Sequence, residues 1–172
     1  LRRVRELDEA LDIDPLTGLA SRHTMQGLLE KALERQPQGE LRPGVLFLDV
    51  DQFKDILESY GRDVGDRVIE MVANTLQHNV RSTDHVGRWT GEKFLMILQD
   101  VDEDRLGMMA DKLRTLVSTS YLDLPDARLH VTVSLGATLT RPNDTVDSLI
   151  SRADSLLEVS KGAGSNRFTV AA

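Results

Sequence analysis

The chain has 172 residues, a net charge of -7 at neutral pH and no cysteine. Its length suits one domain, and its apolar and charged shares of 40% and 28% are typical of a globular protein. The negative charge disfavours a nucleic-acid backbone or an anionic membrane as the main partner, because both would repel the chain. Without cysteine there are no disulfides, thiolate metal ligands or thiol nucleophiles, which suits a reducing cytoplasm. No apolar run reaches the roughly 20 residues that span a bilayer, so we expect a cytoplasmic location.

The first residues predict a short charged helix. Val4, Leu7 and Leu11 stand at i, i+3 and i+7 and form a narrow apolar seam, which is too short to be stable alone. Since the chain begins with Leu1, we expect residues 1–13 to be a linker or signalling helix below an upstream sensor domain, and residues 14–172 to form the folded domain. The alternative is an N-terminal helix that lies on its own domain.

Helical periodicity, with one apolar face each, is strong in four later segments. Aspartate or threonine at 144 or 145 is a suitable N-cap for the last of them. The apolar positions are Met25, Leu28, Leu29 and Ala32; then Val68, Met71, Val72 and Leu76; then Leu106, Met109, Ala110, Leu113, Leu116 and Val117; and finally Val146, Leu149, Ile150, Ala153, Leu156 and Leu157.

Strands fall between these helices. The apolar run Val45–Leu48 predicts a strand covered on both faces, and Val131, Val133 and Leu135 alternate with polar residues as in a strand with one buried face. A turn at Thr90-Gly91 between two apolar runs predicts a β-hairpin, and residues 167–170 predict a last strand. The resulting order predicts an α/β fold (an α+β sandwich) with a βαββαβ core and a mixed sheet flanked by helices.

Carboxylates gather where the first of these strands ends. Asp49 ends that strand, Asp51 follows it, and Glu92 stands at the hairpin tip that we expect beside it. Two carboxylates meeting there would form a hard-oxygen site suited to Mg²⁺. The turn from Val50 into the next helix presents free backbone N–H groups, which suit phosphates. A helix cap is the alternative role for an aspartate at a strand end.

Several motifs occur in an order that resembles one known family. They are Asp14-Pro-Leu-Thr-Gly-Leu19, Leu48-Asp-Val-Asp-Gln-Phe-Lys54, Gly61-Arg-Asp-Val-Gly-Asp66, Arg88-Trp-Thr-Gly-Glu-Lys-Phe94 and Ala153-Asp154 with Lys161 and Gly164-Ser-Asn-Arg167. Over about residues 14–170 the chain resembles the GGDEF domain, the family of bacterial diguanylate cyclases, whose core is like that of nucleotidyl cyclase palm domains. The resemblance implies that two domains face each other, each with GTP and Mg²⁺, and join the two nucleotides into cyclic di-GMP.

The resemblance also assigns roles to single residues. Asp49, Glu92 and the carbonyl of Val50 match the metal ligands, and Glu92 and Lys93 stand at the catalytic positions of the hairpin. The positions that match the substrate site are Phe53, Lys54, Asp66, Gly91 and Lys161; among them Asp66 matches the acid that binds the guanine edge, and the two lysines match phosphate-side cations.

Four departures from the family pattern predict a weakened enzyme. Thr90 is β-branched where the family has a glycine, so the turn is strained or reshaped. Lys93 replaces an acid beside the metal site. If its ammonium points inward, each unit of charge weakens Mg²⁺ binding by about 3 kcal/mol at ~6 Å and an effective dielectric constant of ~20; if it points outward, it costs little. Leu57 replaces an asparagine that bonds guanine, and Ser165 replaces an arginine that stabilises phosphates.

A second nucleotide site is predicted at Arg81-Ser-Thr-Asp84, five residues ahead of Thr90. The family carries an Arg-x-x-Asp motif at this place, where the product binds as an inhibitor. An arginine fork can donate to guanine O6 and N7, and an aspartate can accept from N1 and N2. A surface ion pair is the alternative, since the bare pattern also occurs at Arg5–Asp8 and Arg141–Asp144.

The sequence therefore favours a cyclic di-GMP signalling domain with impaired catalysis, which binds cyclic di-GMP or GTP as a regulatory module. In a full-length protein we expect a homodimer and an upstream sensor domain. Two alternatives stay open. One is an active diguanylate cyclase, and the other is a dimerisation or relay domain that binds no nucleotide.

Overall fold

This computed structural model describes residues 12–35 and 39–172. The predicted helix through Val4, Leu7 and Leu11 lies outside the described residues. The elements in chain order are α1 (Arg22–Glu34), β1 (Arg42–Val50), α2 (Phe53–Tyr60), α3 (Arg62–His78), β2 (His85–Thr90), β3 (Lys93–Val101), α4 (Glu103–Thr119), β4 (Tyr121–Asp123), β5 (Arg128–His130), β6 (Val133–Leu139), α5 (Val146–Gly162) and β7 (Phe168–Ala171). Within the described ranges, no helix is both long enough and apolar enough to cross a bilayer.

The main sheet is mixed, as predicted, and has the strand order β2-β3-β1-β6-β7. Strand β1 lies at its centre and pairs antiparallel with β3 and β6, while β7 lies parallel to β6. Strands β4 and β5 form a separate two-stranded hairpin, which the sequence did not predict.

Both faces of the sheet are covered by helices, so the domain has a layer of helices on each side. On one face, Leu46, Leu48 and Val50 of β1 belong to the core that includes α3 and α4. On the other face, Val45 and Phe47 belong to the core that includes α1 and α5. Because successive side chains of a strand point to opposite faces, Asp49 continues the second series and faces α1 and α5.

Strand β6 corrects one detail of the sequence analysis. The alternation around Val133 predicted one buried face, but every residue of β6 is buried because α5 covers one side and α4 lies on the other. Helix α5 lies very close to the strand at Gly136, where a β-carbon would collide with the backbone at Ala153 and Leu157.

The beginnings of three helices are capped by side chains, as their sequences allow. Ser21 accepts a hydrogen bond from the backbone N–H of Thr24, and Asp102 accepts one from Arg105. Thr145 is the N-cap of α5 and forms a reciprocal capping box with Ser148. Of the two suitable caps for α5, it is therefore the threonine that caps the helix.

Candidate functional site

The predicted hairpin is present, and its tip lies beside the end of β1. Lys93 pairs directly with Asp49 across β3 and β1, and the backbone N–H of Val50 donates to the carbonyl of Glu92 at 3.2 Å. The turn between β2 and β3 uses Gly91 at a positive φ of 33°, a conformation that glycine adopts at little cost. The structure thus brings together the strand end and the hairpin tip that the sequence predicted as a carboxylate site.

Asp49 is a buried carboxylate that is only half satisfied. Its Oδ2 forms an ion pair with Nζ of Lys161, while its Oδ1 is buried without a hydrogen-bond partner. Burial raises the pKa of Asp49; the hydrogen bond and the charge of Lys161, and the charge of Lys93 acting without contact, oppose this only in part. A buried oxygen without a partner is costly in a folded protein, and such groups often belong to binding sites.

Lys161 approaches Asp49 from the last turn of α5. Burial lowers the pKa of its ammonium, but the hydrogen bond to Asp49 and the attraction of its carboxylate outweigh this effect and raise the pKa. The side chain is therefore charged at neutral pH and remains partly exposed, with 31% of its surface accessible. This placement agrees with a cation beside the strand end.

Asp51, two residues further on, is satisfied completely by the protein. Its Oδ1 accepts from the hydroxyl of Ser134 at 2.7 Å, and its Oδ2 accepts from the hydroxyl of Thr132 at 2.7 Å and from the backbone N–H of Asn166 at 3.0 Å. The carboxylate thus fastens β1 to β6 and to the loop after α5. Sequence reasoning missed this role, since nothing in the spacing of these residues indicates that they meet.

The residues at the strand end fit a divalent cation only in part. Glu92 is half-buried and near enough that its negative charge adds to the effect of burial in raising the pKa of Asp49. Across the described parts of the chain, no three Asp, Glu or His side chains are grouped so that they could hold a metal ion. Asp49 and Glu92 could hold Mg²⁺ if a nucleotide supplied phosphate oxygens, because Mg²⁺ often uses one or two protein carboxylates in this way.

Lys93 lies on the same sheet face as Asp49, but its ammonium is engaged elsewhere. Its Nζ forms an ion pair with Oδ1 of Asp154 on α5 at 3.1 Å and lies 5.5 Å from the ring centre of Phe47. The substitution of an acid by lysine therefore places a cation in the same layer as the carboxylate site without a direct contact to Asp49.

The predicted substrate residues on α2 and α3 are less closely organised. The side chain of Lys54 is 88% exposed, and its Nζ lies 3.9 Å from Oε1 of Glu58. Phe53 is half-buried. Asp66 is half-buried on α3. Leu57 fills the space above Gly65, where a β-carbon would collide with it, so an apolar side chain stands where the family resemblance implied an amide.

The loop after α5 lies close to the same edge of the sheet. Ser165 and Asn166 both adopt positive φ angles, of 62° and 51°, and the N–H of Asn166 is one of the donors to Asp51. The guanidinium of Arg167 donates back to the carbonyl of Ser165 at 3.2 Å. The loop is thus held to β1 by its backbone.

Arg88 is a further residue of the hairpin that sequence reasoning did not single out. Its Nε donates to the carbonyl of Gly91 at 2.9 Å, and its Nη1 lies 3.4 Å from both carboxylate oxygens of Asp14. Asp14 also accepts from the N–H and the hydroxyl of Thr17. The hairpin turn is therefore tied to the loop that precedes α1, and the occurrence of both residues inside motifs was the only signal for it.

The predicted second site contains a tightly held arginine. Asp84 accepts from Nε and Nη2 of Arg81 at 3.1 and 3.3 Å, from the N–H of Arg81 at 3.2 Å and from the N–H of Gln99 at 3.0 Å. Arg81 also donates to the carbonyl of Gln99 at 2.6 Å. The carboxylate of Asp84 is fully buried, whereas Arg81 is 52% exposed, so the aspartate orients the arginine and the arginine faces outward.

Arg81 borders a largely apolar cavity of about 370 Å³ between β3 and α4. Two more cations, Arg105 and Lys112, line it as well. The lining residues are Arg81, Asp84, Leu98, Val101, Arg105, Met108, Met109 and Lys112. A cavity with an apolar floor and several cations suits a flat aromatic ligand that carries negative charge.

Comparison with known proteins gives one family. Residues 11–167 match the family described as diguanylate cyclase, GGDEF domain. Response regulator PleD of Caulobacter vibrioides is 35% identical over 166 residues, which are 93% of this chain and 37% of that protein. Diguanylate cyclase DgcP of Pseudomonas aeruginosa is 31% identical over 160 residues, which are 92% of this chain and 24% of that protein. The chain thus spans well under half the length of these relatives.

Solved structures agree in fold. Diguanylate cyclase SiaD from Pseudomonas aeruginosa, in complex with its activator SiaC, has a TM-score of 0.88 and 33% identity over 99% of this chain and 67% of that chain. The GGDEF domain of DgcB from Caulobacter crescentus, in complex with c-di-GMP, has a TM-score of 0.86 and 29% identity over 92% of both chains. These similarities confirm the mixed sheet flanked by helices.

Proposed function

Because this chain belongs to the GGDEF domain family of diguanylate cyclases, we propose that it is a cyclic di-GMP receptor whose catalytic half-site is impaired. The observation that carries the proposal is the Arg81 cavity. Its arginine is fixed in place by a buried aspartate, and its largely apolar lining includes two further cations.

The chemistry of this cavity suits a cyclic dinucleotide. Nη1 of Arg81, the guanidinium nitrogen that is not engaged with Asp84 or Gln99, can donate to a guanine edge, while Leu98, Val101 and Met109 offer an apolar surface for the base. Arg105 and Lys112 can meet the phosphates. Three hydrogen bonds from Arg81 to Asp84 support a role for Asp84 in orienting Arg81. The complex of the DgcB domain with c-di-GMP supports the choice of ligand.

Calorimetric titration with cyclic di-GMP tests this function. We expect micromolar binding by the wild type and at least tenfold weaker binding by Arg81→Ala. Arg141→Ala is the matched control, because Arg141 stands in the same Arg-x-x-Asp spacing but bonds the carbonyl of Ala172 with its guanidinium. Equal affinity in wild type and Arg81→Ala, or no binding by the wild type, would contradict the proposal.

An active or residual cyclase is the second candidate, and one observation favours it. Oδ1 of Asp49 is buried without a partner, and Glu92 lies at the adjacent hairpin tip. With GTP bound, Mg²⁺ would neutralise charge on the phosphates and activate the attacking hydroxyl. Mg²⁺-dependent conversion of GTP to cyclic di-GMP that is lost in Glu92→Gln would establish this candidate.

The place of the domain in a larger protein is part of the same proposal. We place it in the cytoplasm below an upstream sensor domain, as a homodimer in which two half-sites face each other. A ligand can change such an assembly only if it binds one arrangement more tightly than the other. Light scattering of a full-length protein with and without cyclic di-GMP measures this coupling. Identical melting and assembly with cyclic di-GMP, with GTP and without nucleotide would favour a dimerisation or relay domain instead.

A further inference from the structure

The strand register puts Lys93 within reach of Asp49. Residues directly opposite each other in an antiparallel pair point to the same face, with β-carbons about 4.5–5.5 Å apart. Lys93 and Asp49 form such a pair, and the flexible four-carbon stem of a lysine can cover this gap. The unpartnered Oδ1 of Asp49 would be an obvious acceptor for the ammonium.

The ammonium of Lys93 is nevertheless turned away from the end of β1. It lies over the ring of Phe47 at 5.5 Å, and Phe47 precedes Asp49 by two residues on the same sheet face. There it meets Oδ1 of Asp154 at 3.1 Å. The attraction of Asp154 thus draws the cation back along β1, away from the hairpin tip.

We propose that Asp154 is a positioning residue that keeps Lys93 off Asp49, so that Oδ1 of Asp49, beside Glu92, stays without a competing cation and can take the divalent cation of a bound nucleotide. An ammonium at Oδ1 of Asp49 would compete with that cation for the same oxygen. The inference rests on the nucleotide half-site of the second candidate function and does not depend on the Arg81 cavity.

Helix α5 supplies both halves of this arrangement. Asp154 and Lys161 are seven residues apart, which places them on one side of the helix about 10 Å apart along its axis. Asp154 pairs with Lys93 and Lys161 pairs with Asp49. Two ion pairs therefore cross the interface between α5 and the sheet, and they hold the ammonium groups of Lys93 and Lys161 at different carboxylates.

The test measures binding of Mn²⁺ together with a non-hydrolysable GTP analogue, followed by the loss of the electron paramagnetic resonance signal of free Mn²⁺. We expect Asp154→Asn to weaken Mn²⁺ binding at least tenfold, because the released Lys93 reaches Asp49. Adding Lys93→Met to Asp154→Asn should restore the wild-type affinity, and Asp154→Glu should keep it. Asp147→Asn is the control, since Asp147 lines the same cavity as Lys93 and Asp154 without pairing with Lys93.

Four results would overturn the inference. Asp154→Asn with wild-type affinity would show that Lys93 is not restrained by this carboxylate, and a double variant as weak as Asp154→Asn would assign Asp154 a structural role. Wild-type protein that binds no Mn²⁺ would mean that there is no cation site to protect, and unchanged Mn²⁺ affinity in Glu92→Gln would place the cation elsewhere. Titration of every variant with cyclic di-GMP reports separately on the Arg81 cavity and on correct folding.

Discussion

Two buried carboxylates at the end of β1 differ in how their oxygens are satisfied. Asp51 accepts three hydrogen bonds that join β1, β6 and the loop after α5. Asp49 pairs with Lys161 through one oxygen, and its other oxygen has no partner. The first arrangement stabilises the fold, whereas the second costs stability and is typical of a residue kept for binding a ligand.

We predict that Asp49→Asn stabilises the domain at pH 7 by about 1 kcal/mol, since it removes a buried charge at the cost of one ion pair. Because burial raises the pKa of Asp49, its protonated form stabilises the fold below the ordinary value of 3.8, and this contribution is lost as the pH rises through the raised pKa. The advantage of the asparagine variant should therefore shrink as the pH is lowered toward 4. Urea unfolding of the wild type and of Asp49→Asn between pH 7 and pH 4 measures this difference in the free energy of unfolding.

Asp51→Ala is the companion variant at the neighbouring carboxylate. It leaves the buried hydroxyl of Ser134 and two further donors without their acceptor, so we expect a loss on the order of 3 kcal/mol. If Asp49→Asn destabilised the domain as strongly as Asp51→Ala, Asp49 would be a structural residue, and its unpartnered oxygen would not indicate a binding site.

At the scale of elements, the close approach of α5 to β6 depends on Gly136. A β-carbon there would collide with the helix backbone at Ala153 and Leu157, and backbone cannot move aside as a side-chain end can. We predict that Gly136→Ala lowers the free energy of unfolding by about 1–3 kcal/mol or more, measured by chemical denaturation. Gly27→Ala is the matched control within α1, where the space is open, and should stabilise by about 0.5–1 kcal/mol. Equal effects of the two substitutions would contradict the packing argument.

The start of α5 is anchored by an ion pair that should be sensitive to acid. Asp144 and Arg152 lie 2.6 Å apart, and both side chains are largely buried. Burial alone would raise the pKa of Asp144, but its hydrogen bonds to Arg152, to the N–H of Arg141 and to Ser148, together with the charge of Arg152, lower it from 3.8 to about 2.

We predict that Asp144→Asn costs on the order of 2 kcal/mol at pH 7, because a lowered pKa contributes stability above the ordinary value of 3.8. This contribution is lost as the pH falls through about 2, so the difference between wild type and variant should have fallen to about half by pH 3. Urea unfolding at pH 7, 5 and 3 measures the difference. A penalty that does not change with pH would show that Asp144 acts through packing alone.

At the scale of the whole molecule, the two candidate sites lie at opposite ends of β3. Lys93 begins the strand beside the carboxylate edge, and Leu98 and Val101 at its other end line the Arg81 cavity. Over nine residues the strand is about 30 Å long, so the two sites cannot share one ligand.

The separation predicts independent effects on thermal stability. Cyclic di-GMP at 100 times its dissociation constant should stabilise the wild type by about 2.7 kcal/mol, which raises the melting temperature by roughly 5–10 °C. The shift should fall to about half or less in Arg81→Ala, because a tenfold weaker affinity leaves at most about 1.4 kcal/mol of stabilisation, and it should persist in Glu92→Gln. A shift lost in Glu92→Gln instead would place cyclic di-GMP at the hairpin.

Most of the scaffold could be predicted from the sequence because it follows from local periodicity. The four amphipathic helices, the apolar run of β1 and the turn at Thr90-Gly91 each contain their signal within a few residues. The carboxylate edge was also predictable, since Asp49 stands at a strand end and Glu92 at a hairpin tip. Residue pairs distant in sequence were not predictable, because no local pattern records them.

Three such pairings decide the details of the site. The carboxylate of Asp51 meets hydroxyls more than 80 positions away, Arg88 meets Asp14 across 74 positions, and Lys93 meets Asp154 across 61. The direction of the Lys93 side chain in particular depends on where α5 lies, which the sequence of the hairpin does not contain. The short hairpin β4–β5 was missed because its strands have only three residues each.

The loop before α1 also determines how the sheet meets other chains. Strand β2 is one edge of the sheet, and its outer side is covered by this loop, because Ala20 bridges Gly87 in parallel fashion and accepts from the N–H of Arg88 at 3.0 Å. The other edge is β7, with only four residues. Open strand edges invite another chain to add a strand and start polymerisation. The first edge is thus capped and the second is short, and both features oppose the addition of a strand from another copy of the chain.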